Sequence, residues 1–220
     1  MSDVSFRNCL HGHTETRHIV HRTPATIEEH ILAIYRDDKG RAAAFGMSTW
    51  PERVDYQRAR DKVVRLAAYL DARSDREVLT EHAFRVEVGR AVLAGSADRV
   101  ELLDGAAYVV DLKTGQSVPS VADAAENGQL AMYQLAVAEG AVPGATTSAG
   151  AELAYVSTGK AGAVRSQAPI DPEAARQRLD AVVDTMAGRT FVASVNEGCG
   201  SCPVRRACPA HAEGAQVSES

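Results

Sequence analysis

The sequence predicts an α/β domain, a mixed β-sheet flanked by helices, with a cysteine-rich tail behind it. Three observations carry this. Apolar residues recur at helical spacing at Val63, Leu66, Ala67 and Leu70, and again at Leu130, Leu135 and Val137. Between these stretches aromatic and β-branched residues alternate with polar ones, broken by Asp104-Gly105, a strong signal for a tight hairpin turn. From Cys199 onward the chain reads Cys-x2-Cys-x5-Cys-Pro, a distinctive spacing. The 220 residues suffice for one large domain or two small ones, and a hydrophobic fraction of 45% is ordinary for a globular protein. The net charge of −5 speaks against a free-standing tight binder of DNA. No apolar run approaches the roughly 20 residues of a membrane helix. Residues 1–10 are polar without the apolar stretch of a secretory signal, so a cytoplasmic location is expected.

Taken in order, Thr23-Pro24-Ala25-Thr26 reads as a helix start, a capping hydroxyl with proline in the first turn. That helix carries Ile27, Ile31 and Ile34 inward, and Asp37-Asp38-Lys39-Gly40 ends it. Residues 42–51, with Phe45, Gly46 and Trp50, read as a loop on the core. A second helix is expected over 56–72, with Arg58, Arg60, Lys62 and Arg65 on its solvated side. Phe84, Val86 and Val88 mark a half-buried strand, Gly89-Arg90 a turn, and 92–103 and 107–112 the arms of the Asp104-Gly105 hairpin. A polar connection containing Pro119 leads to a helix at Gln129. Residues 140–150 read as a loop and 152–156 as a strand. Gly159-Lys160-Ala161-Gly162 makes a turn that lacks the G-x-x-x-x-G-K-[ST] spacing of a phosphate loop, so no helicase motor is present. Asp171-Pro172 caps a last helix, expected to bury Leu179, Val182, Val183 and Met186 and to close at Gly188.

The chemistry concentrates in Tyr108-Val109-Val110-Asp111-Leu112-Lys113-Thr114-Gly115. In a strand, Asp111 and Lys113 share a face about 6–7 Å apart, with Leu112 on the other side. An acid and an amine side by side are costly to bury unless a metal or phosphate lies between them. Asp98, in Gly95-Ser96-Ala97-Asp98-Arg99, lies in the preceding arm of the hairpin, so two carboxylates can approach one hard cation, Mg²⁺ or Mn²⁺. Glu81 is placed as a second acid beside the pair, or as a charge at a strand edge. Gln129 and Tyr133, four apart, share one face of their helix.

Asp98 followed by Asp111-Leu112-Lys113 resembles the PD-(D/E)xK nuclease signature. The fuller pattern, Gly-Ser-Ala-Asp-Arg, then Val-Asp-Leu-Lys-Thr-Gly, then Gln-x-x-x-Tyr, is similar to RecB-type nuclease domains of the AddB and Cas4 kind, above all to actinobacterial RecB-like helicase–nuclease subunits. The resemblance is good from about Glu81 to the C-terminus. It implies a restriction-endonuclease-like fold and a metal-dependent DNA nuclease acting with a helicase in repair or recombination. By the same resemblance Asp98, Asp111 and the Leu112 carbonyl bind the metal, Lys113 orients or deprotonates the attacking water and steadies the charge that develops on phosphorus, and Gln129 and Tyr133 position the scissile phosphate. His21 stands in for the family's metal-binding histidine, with His30 as its rival. The expected organisation is a diverged N-terminal segment over 1–25, a nuclease core over 26–192 and the cysteine tail over 193–220.

Cys199, Cys202 and Cys208 are close enough in sequence to wrap one metal centre. Zinc needs a fourth ligand, such as His211 or Cys9. A [4Fe–4S] cluster needs a fourth thiolate, which only Cys9 supplies. The resemblance favours the cluster, as a structural staple between the two ends of the domain. A second reading is a catalytically impaired DNA-binding or docking module stabilised by that cluster.

Overall fold

The structure is a computed structural model in which residues 50–189 and 192–215 are described. Cys9, His21, His30 and the helix expected to begin at Thr23 lie outside the described residues, as does most of the loop expected over 42–51. The chain divides into two compact units, Met1–Arg178 and Leu179–Ser220.

The turn at Asp104-Gly105 organises the first unit. Both residues have positive φ, 47° and 86°, as a two-residue hairpin of the right twist requires. The turn joins β2 (Ala91–Leu103) to β3 (Ala106–Lys113), and β1 (Glu77–Val88) runs antiparallel along the far side of β2. β4 (Thr147–Tyr155) pairs with β3 in parallel, so the chain must cross over a sheet face between them. Two helices make that crossover, α2 (Val121–Ala125) and α3 (Gly128–Ala138). Ser120 caps α2 in a reciprocal capping box with Asp123, and Asn127 caps α3 through the Leu130 N–H. The antiparallel β5 (Ala163–Gln167) completes a five-stranded mixed sheet in the order β1-β2-β3-β4-β5.

Helices cover both faces. On one, Leu130 and Val137 of α3 join Val100, Val109 and Leu153 in the main apolar core. On the other lies α1 (Trp50–Asp71), whose Val63, Leu66 and Ala67 are buried, and whose Tyr69 reaches Glu152. α1 begins at Trp50, earlier than the expected Tyr56. Pro51 is tolerated there because the N–H it lacks would have no partner in a first turn. β1 likewise starts well before Phe84, because every residue from Glu77 except Glu81 finds a ladder partner on β2.

β4 starts at Thr147 within the stretch expected to be a loop. Its small residues are needed in the sheet interior. Gly150 has φ +116°, and a Cβ there would lie 2.8 Å from the Gln167 carbonyl oxygen and 3.2 Å from the Tyr108 ring. Gly150→Ala is therefore expected to destabilise the protein by about 1–3 kcal/mol, through strained backbone and a clash with a carbonyl that cannot move aside. Urea unfolding measures this as a lower midpoint at unchanged slope; an unchanged midpoint contradicts it.

The final helix, α4 (Pro172–Ala187), begins with the Glu173 N–H donated to Asp171 Oδ1 at 3.0 Å. Ala175 and Leu179 are buried. Val182 and Met186, expected inside, are instead exposed, at 53% and 69%. The apolar stripe continues at helical spacing, but its second half is uncovered among the described residues. Beyond it the second unit contains short 3₁₀ turns at Glu197–Ser201 and Arg205–Ala207 and a single turn of helix, α5 (Ala212–Ala215).

Candidate active site

The strand register brings the acids together. The β2–β3 ladder pairs Arg99 with Val110, and one step further along Asp98 stands opposite Asp111. On the other side of β2, the pairs Thr80 with Arg99 and His82 with Ala97 flank the position where Glu81 faces Asp98. Glu81, Asp98 and Asp111 thus form one row across β1, β2 and β3. Glu81 adopts φ +47°, unusual for a residue with a side chain, and its Oε1 is buried without a hydrogen bond among the described residues.

Asp98 is fixed by the backbone of the neighbouring strand. Its Oδ2 accepts the Leu112 N–H at 2.7 Å, just beyond the last ladder pair between β2 and β3. Asp111 is held from the other direction. Its Oδ1 accepts Gln129 Nε2 at 2.9 Å, and its Oδ2 forms an ion pair with Lys113 Nζ at 2.6 Å. That second oxygen is buried and, among the described residues, carries no hydrogen bond of good geometry besides this ion pair. Lys113 Nζ also donates to Gln129 Oε1 at 3.0 Å, which closes a triangle of Asp111, Lys113 and Gln129. Tyr133, one turn along α3, accepts Gln129 Nε2 at 3.1 Å and donates to the Ser96 carbonyl at 3.2 Å. Its ring meets Phe84 edge-on, with centroids 6.0 Å apart.

The electrostatics follow from burial and from this crowding of charge. Burial raises the Asp98 pKa; the Leu112 N–H pulls it down, and the charges of Asp111 and Glu81 push it up further, leaving it above the usual carboxylate value. Burial by itself lowers the Lys113 pKa, but the hydrogen bond and charge of Asp111 outweigh it, so the amine is held above its usual value. Lys113 is therefore an ammonium at neutral pH. Beside Asp111 it can orient a water and neutralise negative charge. Tyr133 is raised, first by burial, and stays a neutral phenol.

The sign for stability runs one way. Asp98 binds its proton more tightly folded than unfolded, so its contribution is present below the unfolded carboxylate pKa and is lost as pH rises through the folded value. Asp98→Asn keeps an acceptor for Leu112 without the charge. In metal-free protein it is expected to melt at or above the wild-type temperature at pH 7, with the difference closing at acid pH. Thermal unfolding at several pH values measures this; a variant that melts lower at pH 7 contradicts it.

The residues fit a hard divalent cation. Two carboxylates face each other from neighbouring strands, a third lies beside them with an unsatisfied buried oxygen, and their mutual repulsion disfavours ionisation of Asp98 without a counter-ion. Mg²⁺ takes few protein ligands and keeps several waters. No group of three or more His, Cys, Asp or Glu side chains converges as a ready-made cage among the described residues. Cys199, Cys202 and Cys208 are half-buried free thiols, and Cys199 Sγ accepts the Asn196 N–H at 3.3 Å. These three thiols form no ready-made metal-binding group among the described residues. His211 Nε2 is buried without a hydrogen bond among the described residues.

The model of the PD-(D/E)XK nuclease superfamily matches residues 10–209. The chain belongs to this superfamily. The five-stranded mixed sheet with its flanking helices is consistent with the α/β fold of this superfamily. No curated protein matches the chain. Among solved structures it is similar to the crystal structure of SSO0001, with 18% identity over 94% of this chain and 95% of that one, at a TM-score of 0.39. No helix among the described residues is long and apolar enough to cross a membrane.

Sequence reasoning singled out Asp98, Asp111, Leu112, Lys113, Gln129 and Tyr133, and the structure brings these six together. His21 lies outside the described residues. Glu101 and Glu152, both almost fully buried, went unnoticed. The one available signal was that Glu101 falls opposite Tyr108 in the hairpin register, a position facing inward.

Proposed function

We propose that this protein is a DNA nuclease that hydrolyses phosphodiester bonds at the Asp98–Asp111–Lys113 site. The observation that carries the reading is the closed arrangement of Asp111, Lys113 and Gln129 beside Asp98. Asp98, Asp111 and the Leu112 carbonyl would hold Mg²⁺ or Mn²⁺, with His21 as a further ligand. The bound ion would polarise the phosphate and lower the pKa of a coordinated water. Lys113, as an ammonium, orients the water and offsets the charge that builds on the phosphate oxygens. Gln129 holds Asp111 and Lys113 in register, and Tyr133 ties Gln129 to the Ser96 carbonyl of β2.

The finer reading is a RecB-type domain of the AddB and Cas4 kind, working in repair or recombination with a helicase in the cytoplasm. The Gly-Ser-Ala-Asp-Arg, Asp-Leu-Lys-Thr-Gly and Gln-x-x-x-Tyr elements support it, as does a net charge of −5, which suits a chain fed DNA by a partner. A [4Fe–4S] cluster on Cys9, Cys199, Cys202 and Cys208 belongs to the same reading. It rests on the cysteine spacing and on the resemblance to RecB-type domains, and Cys199, Cys202 and Cys208 must close up to form it. Anaerobically purified protein that is colourless removes the cluster from the account.

The test is incubation of labelled single- and double-stranded DNA with the full chain and Mg²⁺ or Mn²⁺. Cleavage supports the reading. Intact DNA with folded protein favours the second reading, a DNA-binding or docking module, which the lack of a three-ligand group among the described residues would then explain.

A further inference from the structure

On the face of the sheet away from α3 lies a second polar assembly, buried rather than open. Glu101, fully buried, meets Arg99 Nε at 2.8 Å, Arg73 Nε at 3.8 Å and the Arg76 guanidinium. Glu152, 3% exposed, accepts Tyr108 OH at 3.0 Å and Arg73 Nη2 at 3.2 Å, and also the Tyr69 hydroxyl. Arg73 bridges the two acids and stacks over the Tyr69 ring, 4.0 Å from its centroid. The absent side chain at Gly150 leaves the space in which the Tyr108 ring reaches Glu152.

An apolar filling would hold a sheet to a helix at least as well. Burying ion pairs costs desolvation, and replacing them with packed apolar groups is often neutral or stabilising. What a charged network adds is direction, because each guanidinium fork fixes the angle as well as the distance of its partner. Its location says what is being fixed. Arg99 follows Asp98 in sequence and pairs with Val110, the neighbour of Asp111; Glu152 pairs with Val110 from the other side. The row Arg99–Val110–Glu152 therefore runs one residue behind the acid row, on the opposite face.

We propose that Arg99 and Glu152 are positioning residues. Through this network they anchor β2 and β4 on either side of β3, and so fix the spacing of Asp98 and Asp111 and the Leu112 hydrogen bond to Asp98. Tyr108 belongs to the same device, clamping the back of β3 to Glu152. The kinetic half of the claim rests on the nuclease reading; the structural half does not.

The experiment uses the full chain carrying Arg99→Lys, Glu152→Gln or Tyr108→Phe, with two readouts. One is kcat and KM on labelled DNA at saturating Mg²⁺. The other is hydrogen exchange at the Leu112 amide, compared with the amides of Leu130 and Val137 in α3. Arg99→Lys and Glu152→Gln are expected to lower kcat by about 10²-fold, the scale of a misplacement near 1 Å, with KM unchanged. The Leu112 amide is expected to exchange faster while the α3 amides keep their protection. Folded variants with wild-type kcat and wild-type Leu112 protection overturn the proposal, since the network would then serve stability alone. Should the charged variants fail to fold, Tyr108→Phe decides, because it removes one hydroxyl; the same two changes at smaller size support the proposal and their absence overturns it. If the wild-type protein does not cut DNA, the nuclease reading falls, and Leu112 exchange alone still decides the positioning claim.

Discussion

Lys113→Ala and Asp111→Ala are each expected to abolish DNA cleavage, with kcat/KM falling about 10³-fold or more. Removing a single preorganised group that meets transition-state charge costs about 10²–10³. Lys113 adds its contact with Asp111 Oδ2, the one polar partner of that buried oxygen among the described residues. Its loss leaves a carboxylate whose side chain is 6% exposed facing an empty position. The stability cost is smaller than a fully buried pair would give, roughly 1–2 kcal/mol, because the lysine side chain itself is 32% exposed. Both variants should therefore remain folded by circular dichroism while losing activity. Full activity in pure Lys113→Ala protein contradicts the assignment. Lys113→Arg tests the geometry, since a planar fork cannot replace a point charge that contacts Asp111 and Gln129 at once.

Removal of divalent metal is expected to have an effect of the same size. Chelation should reduce cleavage to background and Mg²⁺ or Mn²⁺ should restore it. The same ions should raise the melting temperature of the wild-type protein. An ion at 100 times its dissociation constant stabilises by about 2.7 kcal/mol, a shift of several degrees in a domain of this size. In Asp98→Ala and Asp111→Ala that shift should vanish, because each variant breaks the facing pair. Differential scanning fluorimetry with and without Mn²⁺ measures it. An equal shift in wild type and both variants places the ion elsewhere.

The active-site half of the sheet was legible because its signals are local. Asp104-Gly105 needs no tertiary context to specify its turn, and the turn sets the register that brings Asp98 opposite Asp111. Gln129 and Tyr133 share a face by helical geometry alone, whatever the helix packs on. The back of the sheet was not legible. A glutamate in a strand ordinarily reads as solvent-facing, and the groups that make Glu152 tolerable inside, Arg73 and Tyr69, stand 79 and 83 residues away in the chain. Lys113 shows a different limit. Its residue type admits both a base and a fixed positive charge, and the partner that holds the amine at 2.6 Å, Asp111, is seen only in the folded chain. At Val182 and Met186 the failure was one of partners, since helical spacing states which side of a helix is apolar but not whether anything covers it.

The central claim is that Asp98 and Asp111 share one divalent cation on the rim of the sheet. Crystals of the protein soaked in Mn²⁺ test it through anomalous scattering. The account predicts a Mn²⁺ peak coordinated by carboxylate oxygens of both residues, absent from crystals of Asp111→Ala. A fully occupied site remote from this pair, with no density between the two carboxylates, would contradict it.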